Sequence, residues 1–325
     1  MSDIAATLLS APILFFFLGV LAAAARSDLA VPETVAKGLS LYLMAAIGLK
    51  GGVEVAKAGV SADLGAAMIA GLLLSAAIPL FVAPVLRSFG KLDGINAGAV
   101  AAHYGSVSVV TFVTASQVYG ASGFAIAGYM VAVLALMETP AIITGLLLAS
   151  RYLGEGGGRR ATFDPELIKE VLFNGSVVLL VGSFLIGLII GPDGFEPIAP
   201  LFQSGFTGVL CLFLLDMGLI AMRRLRDTRA LNARLVMLGI LFPVVNGTIG
   251  AVTGTLIGLD PASAAGLAIL CASASYIAVP AAMRMALPQA NAGLYLAMSL
   301  GVTFPFNIII GIPAFRLLAE WLGAS

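Results

Sequence analysis

The sequence predicts an all-α integral membrane protein. Its ten transmembrane helices form two inverted five-helix repeats, in which helices 4 and 9 are interrupted and cross. Three observations predict this fold. The chain is 60% hydrophobic and 10% charged, with a mean hydropathy of +1.07, whereas an ordinary soluble domain carries about 25% charged residues. So few charges cannot cover a 325-residue globule with solvated surface. Apolar runs of spanning length alternate with Pro, Gly or charge clusters, and a Ser-x-Ser segment interrupts one run in each half of the chain.

The runs fall at 4–25, 32–57, 62–87, 93–117 and 121–150, then at 167–191, 198–222, 231–258, 261–286 and 290–322. Each reaches the roughly 20 residues that a hydrocarbon core about 30 Å thick requires of a helix. The first run is preceded only by Asp3 and no basic segment, which fits a spanning helix rather than a cleaved signal. Between the two sets lies "RYLGEGGGRRATFDPE" (151–166), hydrophilic and Gly-rich, read as a cytoplasmic linker. The expected segments are therefore 1–60 (helices 1–2), 61–150 (helices 3–5), the linker 151–166, 167–226 (helices 6–7) and 227–325 (helices 8–10).

Orientation follows from the basic residues. With the N-terminus outside, all of the 17 Lys and Arg residues except Lys50, Lys57 and Arg316 fall on the cytoplasmic side, as expected when insertion retains basic loops. Both termini are then outside, and the arginine-rich stretch 223–234 is a topological signal. Trp321 fits an interfacial anchor. Lys50 and Glu54, four residues apart, read as a helix-end ion pair. Zero net charge gives no reason to expect a nucleic-acid partner. Cys211 and Cys271 lie in apolar runs and read as small core residues, not a disulfide or metal pair. One histidine, no phosphate-binding glycine loop and no third group for a His103–serine hydrolase leave no enzyme chemistry and no cofactor.

The repeat emerges when Asp93 is laid on Asp260. "DGINAGAVAAHYGSVSVV" then covers "DPASAAGLAILCASASYI", with Ser106 on Ser273 and Ser108 on Ser275. Five spans per half is an odd number, so the second copy enters the membrane upside down, the pattern of secondary transporters. Breaking a helix within the bilayer frees backbone groups that protein or water must satisfy. The four serines are suitable N-caps for the half-helices that follow. Two half-helix N-termini meeting at the midplane supply about one positive charge, which suits one small monoanion. The C-terminal carbonyls of the preceding half-helices suit a cation such as Na⁺. Gly105, Ala272 and Ala274 leave room for a small ligand, and equally suit close helix packing.

Glu138, in "LMETPAII", is the most isolated intramembrane carboxylate. It reads as a cation ligand or proton carrier, or as a hydrogen-bonded structural carboxyl beside Pro140. Asp216 ranks below it, being near the arginines at a span end. His103 reads as a packing residue.

At "PETVAKGLSLYLMAAIGLKGGVEVAK", "HYGSVSVVTF", "METPAIITG" and "ASASYIAVPAAMRMALPQAN" the chain resembles the sodium-dependent bicarbonate permease family (SbtA type), in the same order over nearly its whole length. The resemblance implies a core of helices 3–5 and 8–10 beside a scaffold of helices 1, 2, 6 and 7. It implies Na⁺-coupled bicarbonate uptake through the cell's inner (plasma) membrane, by an elevator-like movement in a homotrimer. Substrate-binding positions would be Gly105, Ser106, Ser108 and Thr111 with Ser273, Ala274, Ser275 and Tyr276. Sodium would take Ser108, Glu138 and Ser275, and no other metal is implied. Cyanobacterial members carry an acidic residue where this chain has Tyr276, and polar or glycine residues at Ala278 and Val279. Their longer central loop serves a PII-like regulator, a partner that the short linker here does not suggest. The readings kept beside bicarbonate symport are symport of a small organic carboxylate, a passive anion channel, and a membrane sensor.

Overall fold

The computed structural model describes residues 9–59, 61–153, 175–227 and 231–324, together with Leu167, Lys169, Leu172 and Phe173. Residues 154–166 of the expected linker lie outside the described residues. The described residues are helical, with no strand. In chain order the helices are α1 (Ala11–Ala24), α2 (Glu33–Ala58), α3 (Ala62–Ser88), α4 (Gly94–Gly105), α5 (Val109–Ala121), α6 (Met130–Met137) and α7 (Pro140–Leu153). They continue as α8 (Gly175–Phe195), α9 (Phe206–Asp227), α10 (Ala233–Leu256), α11 (Pro261–Ala272), α12 (Ala278–Ala286) and α13 (Ala292–Gly323).

Among the described residues eight helices are long and apolar enough to cross a membrane, counting α4–α5 and α6–α7 each as one; α1 and α11 are shorter apolar helices. This is a multi-pass membrane protein. Two extensive pairings, α1 with α9 and α2 with α8, bring backbones into direct contact. A Cβ at Gly52 would overlap the Phe184 carbonyl oxygen, and one at Gly19 that of Leu215. Glycine is required there because no side chain fits between the axes. A second body packs α4 against α3 and α7, and α11 against α10 and α13.

The helix starts are encoded locally. Asp93 caps α4 by accepting from the amides of Ile95 (3.0 Å) and Asn96 (2.9 Å). Asp260 caps α11 through Ser263 N (3.0 Å). α4 and α11 are both 12 residues long. Burial would raise the Asp93 pKa, but the bonds from Asn96 and Ile95 outweigh it and hold the carboxyl below its usual range. Its contribution is therefore present above the unfolded pKa and lost as pH falls through the lower folded value. Asp93→Ala is expected to cost about 0.5–2 kcal/mol at neutral pH, and Asp93→Asn less. Thermal melts across acidic pH check this, since the Asn variant should lack the acid-side loss.

Three expectations are corrected. The fifth span begins at Met130, not near 121. Gly123 takes φ +75°, and the Ser122 hydroxyl and Phe124 amide both donate to the Tyr119 carbonyl, turning the chain before the next helix starts. The seventh span starts at Phe206, after a 3₁₀ turn and a π turn rather than at 198. Lys50 and Glu54 do not pair within 4.0 Å. Lys50 instead lies 5.2 Å over the Phe206 ring, while Glu54 turns to the Gly128 amide.

Candidate functional site

Gly105-Ser106-Val107-Ser108 breaks one helix into α4 and α5. Ser106 ends α4 in extended geometry (φ −80°, ψ 176°). Ser108 starts α5, its Oγ accepting from Thr111 N (3.2 Å) and Thr111 Oγ1 (3.0 Å). In the other half Ser273 ends α11 with nearly the same dihedrals (φ −80°, ψ 162°), and α12 begins only at Ala278. Pro280 lies in the first turn of α12, where a missing amide donor costs nothing. The serines thus divide their work: Ser106 and Ser273 terminate helices rather than start them, Ser108 is a true N-cap, and Ser275 Oγ makes only a long contact with Val279 N (3.5 Å).

The two breaks hydrogen-bond to each other. Ser275 N donates to the His103 carbonyl at 2.8 Å. At the matching positions, Ser108 N donates to Ser273 Oγ (2.8 Å), and that hydroxyl donates to the Leu270 carbonyl (2.8 Å). One link is direct; its counterpart is relayed through a side chain. Further carbonyls at the breaks are also engaged, Ala272 O by Asn307 Nδ2 (2.8 Å) and Glu138 O by Ser106 Oγ (3.0 Å). Asn307 and Thr303 lie in or at the end of π turns within α13, and Thr303 ties Tyr104 (2.6 Å) to the Gly239 carbonyl (2.7 Å). π turns recur at functional sites.

Between the breaks lies a cavity of about 10 Å³, lined by Val107, Ser108, Val109, Glu138, Ser176, Ser275, Tyr276 and Ile277. That is about the space one water needs. Glu138 Oε2 and Tyr276 Oη are buried without a hydrogen-bond partner. The Tyr276 hydroxyl is directed toward Ser108 without bonding to it, and its ring stands edge-on to Phe304 at 5.5 Å. The amides of Val109 and Val110, in the first turn of α5, have no intrahelical acceptor. A wider cavity of about 250 Å³ shares Ser176 and Ile277 with the small one and opens past Lys37 and Ser40, between α2, the start of α8, and α12.

Of the residues expected from sequence, Ser108, Glu138, Ser275 and Tyr276 meet at this cavity. Gly105, Ser106, Thr111, Ser273 and Ala274 do not line it. Gly105 packs against Pro79 and Ala141, and the hydroxyls of Ser106, Thr111 and Ser273 form the bonds just described. Ala274 is buried. The His103 ring is packed, with Nδ1 2.7 Å from the Ala99 carbonyl and the ring stacked on Tyr295 at 4.4 Å. Sequence reasoning missed Ser176 and Asn307. A serine in an apolar run and an asparagine before "IIIG" are the only signals they leave. No group of three or more His, Cys, Asp or Glu suited to a metal occurs among the described residues.

A family model described as the Na⁺-dependent bicarbonate transporter superfamily matches residues 11–320. No curated protein matches the chain.

Proposed function

The chain belongs to the Na⁺-dependent bicarbonate transporter superfamily, a family of transporters and not of enzymes, and from that premise we propose that it is a secondary active symporter carrying bicarbonate with Na⁺ through the cavity between the two breaks. One observation carries the reading: α5 and α12 both begin at a cavity that also holds a buried carboxyl, Glu138, whose Oε2 has no hydrogen-bond partner. Two helix N-termini contribute about one positive charge, matched by one monoanion; Glu138 contributes one negative charge, matched by one cation. With Glu138 ionised, anion and cation together leave the site neutral, and either alone leaves it charged. The anion takes the Val109, Val110 and Ala278 amides, with the Ser108, Ser275 and Tyr276 hydroxyls. Na⁺ takes Glu138 and the Ser108 and Ser275 hydroxyls, which line the same cavity.

The proposal includes ten spans in two inverted repeats. Its support is the pairing pattern: α1 with α9 is the inversion mate of α8 with α2, and the α3–α4–α7 packing is that of α10–α11–α13. Residues 1–60 and 167–226 form the scaffold and 61–150 and 227–325 the core. The wider cavity lies along the boundary between them, where an elevator-like movement of the core would open the water-sized site to one side. The protein lies in the plasma membrane with both termini outside. Arg316, an exception among the basic residues, is held by Glu320 (2.8 Å) and Ser122 (2.7 Å). Assembly is as a homotrimer.

Proteoliposomes loaded without bicarbonate test the function. An inward Na⁺ gradient is expected to drive bicarbonate above its external concentration, and collapsing the gradient to stop it. Uptake indifferent to Na⁺ sinks the symport, and equilibration without accumulation indicates a channel. Stronger competition by acetate or pyruvate than by unlabelled bicarbonate reassigns the substrate to organic carboxylates.

A further inference from the structure

We propose that the basic end of the α1–α9 pair carries a binding site for a phosphate-class anion, supplied by the headgroup of an anionic phospholipid or by free phosphate. An open cavity of about 600 Å³ there is lined by Ala23, Arg26, Ser27, Arg223 and Arg226. Three guanidinium groups share this hollow, and among the described residues no carboxylate lines it. Two of them are fixed by backbone carbonyls: Arg226 donates to Ala23 O (2.9 Å) and Ala24 O (2.8 Å), and Arg223 to Leu29 O (2.8 Å). Those bonds tie the two forks to the backbone at the end of α1 and in the loop after it, and hold them in place.

Arg26 differs from the other two. It stands just past the end of α1 at φ +60°, is exposed, and its guanidinium has no protein partner among the described residues. Three like charges around one hollow repel one another, and an anion between them converts that repulsion into charge-assisted bonds. Guanidinium forks match the geometry of phosphate oxygens.

The place in the fold explains why a lipid could supply the phosphate. α1 and α9 are apolar helices running side by side, so their shared end lies at headgroup level, where arginines near the hydrocarbon attract anionic lipid. Leu21 and Leu225, beside the lining residues, are 65% and 45% exposed and offer apolar surface for acyl chains. No residue here lines the cavity between the breaks, so the site is separate from the proposed transport path.

Thermal melts of the full-length protein in detergent test this, with phosphatidylglycerol against phosphatidylcholine, and separately inorganic phosphate against chloride at equal ionic strength. A ligand that binds only the folded protein raises its melting temperature. Phosphatidylglycerol or phosphate is expected to do so, with phosphatidylcholine and chloride inert. Arg26→Gln is expected to weaken the apparent affinity about fivefold while leaving the ligand-free melting temperature unchanged. Arg223→Gln should weaken it similarly, with a lower ligand-free value because a carbonyl loses its donor. A response to the lipid alone identifies a headgroup site, and a response to phosphate identifies a site for soluble anions. No stabilisation by either, or an undiminished shift in Arg26→Gln, overturns the proposal.

Discussion

Ser273→Ala is expected to lower both thermal stability and uptake far more than Ser106→Ala, although the two serines occupy matching positions in the two halves. Ser273 Oγ stands between two buried backbone groups, accepting from Ser108 N and donating to Leu270 O. Its removal leaves the buried Ser108 amide unpaired at about 1–3 kcal/mol, against a total stability of about 5–15 kcal/mol, and leaves the Leu270 carbonyl only the longer bond from the Ser273 amide (3.3 Å). It also frees Ser108, the N-cap of α5, from the other break, so the half-helix proposed to hold the anion is no longer positioned. Ser106 Oγ only donates to the Glu138 carbonyl; losing one such bond costs about 1 kcal/mol. The opposite link, Ser275 N to His103 O, uses no side chain and survives either substitution. Ser273→Thr, which keeps the hydroxyl, should restore most of the loss. Equal falls in melting temperature and uptake for both alanine variants would remove the relay from the account.

Much of this architecture was legible because membranes restrict what a chain can do. Spanning runs must be apolar, so composition and run length gave nearly every helix, and caps as simple as Asp93 and Asp260 marked where the broken helices start. The interruption itself was readable too, since Ser and Gly in the middle of a run have no apolar explanation. The division of labour among the serines was not readable. Whether a serine ends one half-helix or starts the next depends on ψ at that residue and on which amide the other half presents, and both are tertiary facts. Lys50 and Glu54 show the same limit. The i,i+4 rule describes solvated helix surfaces, but around α2 the start of α9 offered a ring to Lys50 and the turn before α6 an amide to Glu54. Ser176 and Asn307 reach the breaks from α8 and α13, distant in sequence, and nothing periodic marks them.

Glu138→Gln is expected to abolish the stimulation of uptake by Na⁺ while leaving the protein at least as stable. The carboxyl is 2% exposed, its Oε2 has no hydrogen-bond partner, and no cationic side chain lies within 4.0 Å of it among the described residues. An isolated buried carboxylate is costly, so the charged form persists only when a cation accompanies it. On the proposed reading that cost becomes the coupling: Na⁺ stabilises the carboxylate, and its charge lets a bicarbonate approach the first turn of α5, where Val109 lines the same cavity. Glutamine keeps the shape and one acceptor oxygen but removes the charge. Uptake under a Na⁺ gradient should then fall about tenfold or more, to the rate without a gradient, as a loss of roughly 1.4 kcal/mol or more in cation affinity requires. The melting temperature without Na⁺ should hold or rise, because an ionisable group that is costly to bury has been removed, and Na⁺ should no longer raise it. Stability and coupling move in opposite directions on this account. A variant that keeps Na⁺-stimulated uptake places the cation elsewhere, and one that loses stability together with uptake makes Glu138 a structural carboxyl.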